Sequence, residues 1–162
     1  MTKICVISDT HEHEEATKKA VAIIKYKQPR LVLHLGDIIS PPMLDNFEGL
    51  PMRFLFGNND GEKTGLQRVC EKHGWNITDT FEKTIDDKKL FAAHGHRQDW
   101  KQAVEQQHYD IVFHGHTHIK KDEVNGTTRI LNPGALWRAK EYTFFILDIA
   151  NGEIEWFTVE NE

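Results

Sequence analysis

The feature that most constrains this chain is a set of short apolar runs, each of which stops at a residue able to hold a metal ion. Residues 3–8 run into Asp9-Thr10-His11, residues 30–35 into Gly36-Asp37, and residues 53–56 into Gly57-Asn58-Asn59-Asp60. Residues 89–94 end on His94, and residues 111–114 run into Gly115-His116-Thr117-His118. Runs of four to eight residues bounded by glycine and polar residues read as buried strands. Loops at the carboxyl ends of strands in α/β sheets converge on one crevice, so donors far apart in sequence are expected to meet there.

Between these runs the pattern turns helical. Ala16, Ala20, Ile23 and Ile24 recur at helical spacing over residues 13–27, and amphipathic helices are expected over 65–73 and 100–107. Strand 81–85 precedes the turn Asp86-Asp87-Lys88, and two hairpins are expected at Asn125-Gly126, between 120–124 and 127–131, and at Asn151-Gly152, between 142–149 and 153–159. Strand–helix alternation followed by hairpins predicts an α/β sandwich of two packed mixed sheets with helices outside. No repeat, low-complexity tract or long linker divides the chain, so residues 1–162 are expected to form one domain.

A formal net charge of −5 and the lack of a Lys/Arg-rich block argue against a protein that holds long nucleic acid or an anionic membrane through a basic field. No apolar run approaches the roughly 20 residues needed to span a bilayer. Residues 1–8 begin a strand directly and lack the pattern of a signal peptide. Cys5 and Cys70 lack zinc-binding or redox spacing and read as buried thiols of a reducing compartment, so the cytoplasm is the expected location.

Taken singly, Asp-x-His, Gly-Asp and Gly-Asn-Asn-Asp are ordinary loop sequences. Together Asp9, His11, Asp37, Asn58, His94, His116 and His118 form a set of two carboxylates, one amide and four imidazoles, all at strand ends. Such a set suits Zn²⁺, Mn²⁺, Fe or Ni²⁺; the missing thiolates argue against structural zinc and the imidazoles against Ca²⁺. Seven donors exceed what one octahedral ion uses, which predicts two ions roughly 3.5–4 Å apart sharing a carboxylate, with Asp37 as the expected bridge. Two divalent ions outweigh the charge of Asp9 and Asp37, and a cationic centre fits a phosphate ester.

These motifs, in this order, resemble the calcineurin-like metallophosphoesterase superfamily over nearly the whole chain. The short length and the Asn132-Pro133-Gly134 loop make the chain similar to its small YfcE-like phosphodiesterase branch. The resemblance implies a four-layer αββα sandwich. It places Asp9, His11, Asp37 and His118 on a first ion, and Asp37, Asn58, His94 and His116 on a second. It also implies hydrolysis of a small phosphate ester, with Mn²⁺ as first candidate cofactor, Ni²⁺, Zn²⁺ or Fe as competitors, and a homodimer or homotetramer as the assembly. The chain departs from the superfamily's usual Gly-Asn-His at Asn59, where an amide can donate a hydrogen bond but not a proton. Esters with good leaving groups are therefore expected to react best.

The expected reaction is in-line attack on phosphorus by a metal-bound hydroxide, with Asn59 donating to the transferring group and Asp60 orienting a ligand or loop. His96 is a candidate acid or phosphate contact, and Arg97 and Arg138 are candidate phosphate contacts. Trp137 follows the Asn132-Pro133-Gly134 loop and is placed to line a crevice, whereas His34 alternates within a strand and reads as a core histidine. His13, His73 and His108 read as helix-surface or loop residues. Two alternatives compete: a non-catalytic protein-interaction scaffold of the same fold, and a nuclease or cyclic-nucleotide phosphodiesterase.

Overall fold

A computed structural model describes residues 2–160 of the chain. Eleven strands and three α-helices follow in the order β1 (Lys3–Ile7), α1 (Glu14–Lys27), β2 (Leu31–His34), β3 (Met52–Leu55), α2 (Lys63–His73), β4 (Asn76–Thr78), β5 (Thr80–Ile85), β6 (Lys88–Ala93), α3 (Asp99–Glu105), β7 (Ile111–Phe113), β8 (Lys121–Asn125), β9 (Thr128–Asn132), β10 (Tyr142–Asp148) and β11 (Ile154–Val159). A 3-10 helix, Pro41–Phe47, joins β2 to β3.

The strands form a six-stranded sheet in the order β11-β10-β1-β2-β3-β4 and a five-stranded sheet in the order β5-β6-β7-β9-β8. Both are mixed: β1, β2, β3 and β4 run parallel while β10 joins β1 antiparallel, and β6, β7 and β9 run parallel between antiparallel edges.

Side-chain alternation along each strand separates the layers. Ile4 and Val6 of β1 face Leu90, Phe113 and Leu131 of the other sheet, whereas Cys5 and Ile7 face Ala20 and Ile24 of α1. Phe145 and Phe144 of β10 divide the same way. On the far side Phe91, Val112 and Ile130 take Ala103 and Val104 of α3. The result is four layers, αββα, as the resemblance implies, and central strands covered on both faces, such as β1, β2, β7 and β10, read for that reason as continuous apolar runs.

Local differences have local causes. The 3-10 helix hides behind its two prolines, yet it buries Met43, Leu44 and Phe47. β4 escapes notice because three residues with one apolar side chain give no periodic signal. The first hairpin turns at Gly126-Thr127, one residue later than expected, because Asn125 pairs with Thr128 and Gly126 takes the positive φ. No helix among the described residues is long and apolar enough to cross a membrane.

Candidate metal centre

β1, β2 and β3 are parallel neighbours, so the loops after them emerge side by side and bring Asp9, His11, Asp37 and Asn58 to one edge. The second sheet delivers His94 after β6 and His116 and His118 after β7 to the same place. Asp9, His11 and His118 form one cluster of donor atoms within 4.8 Å of one another, and Asp9, Asp37 and His94 form another. His11 Nε2 lies 3.5 Å from Asp37 Oδ2, His94 Nε2 lies 3.5 Å from the same oxygen, and His118 Nε2 lies 3.4 Å from Asp9 Oδ1.

These donors fit a metal. Asp9 Oδ1, His11 Nε2 and His94 Nε2 are buried and have no hydrogen-bond partner among the described residues. Buried polar atoms are normally paired, and three orphans aimed at one space mark a place for a cation. Two donors sharing an ion at bonds of about 2.1 Å stand about 3.0–3.4 Å apart, close to the spacings here.

The rest of each donor is fixed by contacts that set its orientation. Ser8 Oγ donates to Asp9 Oδ2 at 2.5 Å, and the His116 backbone N–H donates to the same oxygen at 3.1 Å. His94 Nδ1 bonds the Leu35 carbonyl at 2.9 Å, and His118 Nδ1 bonds the Arg138 carbonyl at 3.2 Å, which leaves each Nε2 pointing inward. Asp60, 1% exposed, accepts four backbone N–H groups: Asp37 and Gly57 on Oδ2 at 2.8 and 2.7 Å, Ile38 and Ile39 on Oδ1 at 2.8 Å each. It therefore welds the loop after β2 to the loop after β3. The motif glycines make room for this. A Cβ on Gly57 would collide with the Asp37 carboxylate, and one on Gly115 with Ser8 and Asp9.

The backbone here is strained. Asp9, His11, Asp37, Ile39, His116, His118 and Arg138 all take positive φ, between 46° and 78°. That conformation costs a non-glycine residue roughly 1–2 kcal/mol, and such strain gathers where side chains must be aimed rather than packed.

Charge follows the geometry. Burial alone would raise the Asp37 carboxyl, but His94 and the Asn59 amides hold it far below the usual carboxylate range. Burial lowers His94, yet Asp37 and Asp9 outweigh it and leave the imidazole above its ordinary value; His118 is raised by its contact with Asp9 against a smaller opposing effect of burial. His11, where burial dominates, is lowered.

The remaining expected site residues sit as follows. Asn58 and His116 are exposed, and His116 lies outside both clusters, but Asn58 Oδ1 and His116 Nδ1 approach to 3.1 Å, with the His116 ring 5.2 Å from that of His94. Asn59 turns to Asp37, its backbone N–H on Oδ1 and its Nδ2 on Oδ2, both at 2.9 Å. His96 is exposed at the rim, its ring 5.4 Å from His94 and 6.3 Å from His116.

Arg97 pairs with Asp99 instead of facing the centre, and Arg138 lies over Trp137. His34 is a core histidine bonded to Thr10 and the Gly36 N–H. His13 is half-buried, bonded to the Leu136 carbonyl and packed on Trp137 and Tyr142, rather than a free surface residue. The contacts from Ser8, Leu35 and Arg138 had no signal in the sequence, since two of them come from backbone carbonyls.

Residues 2–152 match the model of the calcineurin-like phosphoesterase superfamily domain. The chain belongs to that superfamily. It is 36% identical over 137 residues to a phosphodiesterase of Methanocaldococcus jannaschii, an alignment covering 82% of each protein. Among solved structures, an archaeal phosphodiesterase superposes with a TM-score of 0.90 at 32% identity, over 98% of this chain and 100% of that one. The E. coli phosphoesterase YfcE shares the fold with a TM-score of 0.72 at 17% identity, over 98% and 100% of the two chains. With two metal-binding clusters at its centre, this member of the superfamily is a metal-dependent phosphoesterase.

Proposed function

We propose that the chain is a phosphodiesterase that hydrolyses a small phosphate diester at a two-ion centre, acting as one domain over residues 1–162. Asp9, His11, Asp37 and His118 would hold the first ion, and Asp37, Asn58, His94 and His116 the second. The observation that supports this reading is that Asp37 Oδ2 lies 3.5 Å from both His11 Nε2 and His94 Nε2, close enough to serve an ion held by either, while Asp9, common to both donor clusters, stands beside it. Asn58 Oδ1 and His116 Nδ1, joined by a 3.1 Å hydrogen bond, are close enough together to serve the same ion once that bond is exchanged for metal ligation.

When bound, such a pair supplies an activated water and a positive field for the phosphoryl oxygens. The protein's own residues orient this chemistry. Asn59 grips both oxygens of Asp37 and acts first as a positioning residue for the shared carboxylate. His96, at the rim with its ring 5.4 Å from that of His94 and 6.3 Å from that of His116, is our candidate contact for the oxygens of the ester. The donor chemistry of imidazole, carboxylate and amide accepts Mn²⁺, our first candidate, and also Ni²⁺, Zn²⁺ or Fe. The acidic chain favours a small diester over long nucleic acid, and cytoplasmic action as a homodimer or homotetramer completes the proposal.

A complete donor set favours an enzyme over a non-catalytic scaffold. The test is to strip metals with a chelator, restore Mn²⁺, Ni²⁺, Zn²⁺ or Mg²⁺ singly, and assay an aryl phosphodiester beside the matching monoester. Metal-dependent turnover, faster on the diester, is expected. Bound metal without turnover would move the assignment to a scaffold.

A further inference from the structure

A crevice of about 550 Å³ opens beside the metal centre, lined by His11, Glu12, His13, Ile39, Asn59, Trp137 and Arg138. It shares His11 and Asn59 with that centre, so an ester held there by its phosphate has an adjoining space for one organic group. Its largest apolar wall is the partly exposed Trp137 ring, 5.9 Å from the His11 ring and tilted by only 30°. Ile39 joins it with a φ of 78°, in a conformation that β-branched residues avoid. The Asp60 carboxylate holds that conformation through the Ile39 N–H. The one acid and one arginine of the lining, Glu12 and Arg138, oppose each other in charge, and the Arg138 guanidinium lies 5.4 Å over the Trp137 ring.

We infer that this crevice is a slot for a flat, uncharged aromatic group of the ester, with Trp137 as the specificity-determining wall. This rests on the two-ion phosphoesterase reading above. A flat ring gains from contact with an indole face and from an arginine able to stack on it. The crevice's own fixed charges, the Glu12 carboxylate and the Arg138 guanidinium, cancel, so its lining adds no preference for a second charged group. An aryl group and a nucleobase share this chemistry.

The test separates the slot from the reaction by measuring binding of non-hydrolysable phosphonates to the Mn²⁺-loaded protein by calorimetry. Methylphosphonate and phenylphosphonate carry the same metal-seeking head and differ only in the ring. Phenylphosphonate should bind at least about 10-fold tighter. Trp137→Leu should reduce that ratio to about 2 or less, and Trp137→Phe, which keeps a flat ring, should retain most of it. Using the ratio cancels any loosening of His11, because both ligands depend equally on the metal.

An unchanged ratio in Trp137→Leu, or a wild-type ratio near 1, would overturn the slot while leaving the phosphoesterase reading standing. Failure of both phosphonates to bind in a metal-dependent way would overturn that reading and the slot with it. Thymidine 5′-phosphate distinguishes the sources: sensitivity to Trp137→Leu matching that of phenylphosphonate means that a nucleobase reaches the wall, and insensitivity restricts the slot to simple aryl groups.

Discussion

Replacing Asp60 by Asn keeps the shape of the side chain and removes half of what it does. Each carboxylate oxygen of Asp60 accepts two backbone N–H groups, Asp37 and Gly57 on one, Ile38 and Ile39 on the other. An Asn amide can satisfy only one of these pairs and turns its own N–H groups against the other. Hydrogen bonds to a charged group contribute roughly 1.5–3 kcal/mol each, so two lost bonds amount to about 3–6 kcal/mol before relaxation. Partial relaxation of the loops brings the expected loss to about 3 kcal/mol, which for a chain of this size lowers Tm by about 6–12 °C. Thermal unfolding of the chelated protein measures this without interference from bound metal. The same variant should bind Mn²⁺ at least about 10-fold more weakly in calorimetry, because the loop that carries Asp37 is then less firmly tied to the loop that carries Asn58. A Tm within about 2 °C of wild type together with unchanged Mn²⁺ affinity would refute the claim that Asp60 fixes the two loops.

Other residues give independent tests. Asp37→Asn removes the shared carboxylate and should reduce tightly bound Mn²⁺ from two ions per chain to one or none by elemental analysis; retention of two would remove Asp37 as the bridge. His96→Ala should lower kcat/KM on an aryl diester by about 10-fold with metal content unchanged, and full activity would make His96 a bystander. Metal loading requires neutral imidazoles, so activity should fall as pH drops below the ordinary histidine range of about 6.5, and a flat profile down to strongly acid conditions would contradict it.

Burial pushes His34 down to about 3 in the fold. Its contribution to stability is therefore present above its unfolded value of about 6.5 and lost as pH falls from there toward 3. His94 and His118, both raised, have the opposite sign and contribute below about 6.5. The chelated His34→Gln variant should consequently lose less Tm than wild type between pH 7 and pH 5, and an equal or greater loss would contradict the assignment.

What the sequence reveals and conceals here follows from where the information sits. The donors are legible because strands buried on both faces read as unbroken apolar runs, and an Asp, Asn or His just beyond each run stands out. The direction in which each strand residue faces is not legible, since Ile4 and Cys5 are equally apolar and only the packing of two layers separates them. Motif glycines are visible as letters, but their reason appears only when Gly57 is found against Asp37 and Gly115 against Asp9. The carbonyls of Leu35 and Arg138 orient His94 and His118 without any residue type to announce them. The Trp137 crevice joins the loop after β1 to the loop before β10, a juxtaposition that exists only once β10 pairs with β1.

The central claim is a centre of two ions bridged by Asp37, and anomalous diffraction from crystals of the Mn²⁺-loaded protein tests it most directly. The account predicts two peaks roughly 3.5–4 Å apart, one among Asp9, His11 and His118 and the other among Asn58, His94 and His116, with Asp37 between them. A single fully occupied peak, or two peaks that do not share Asp37, would contradict it.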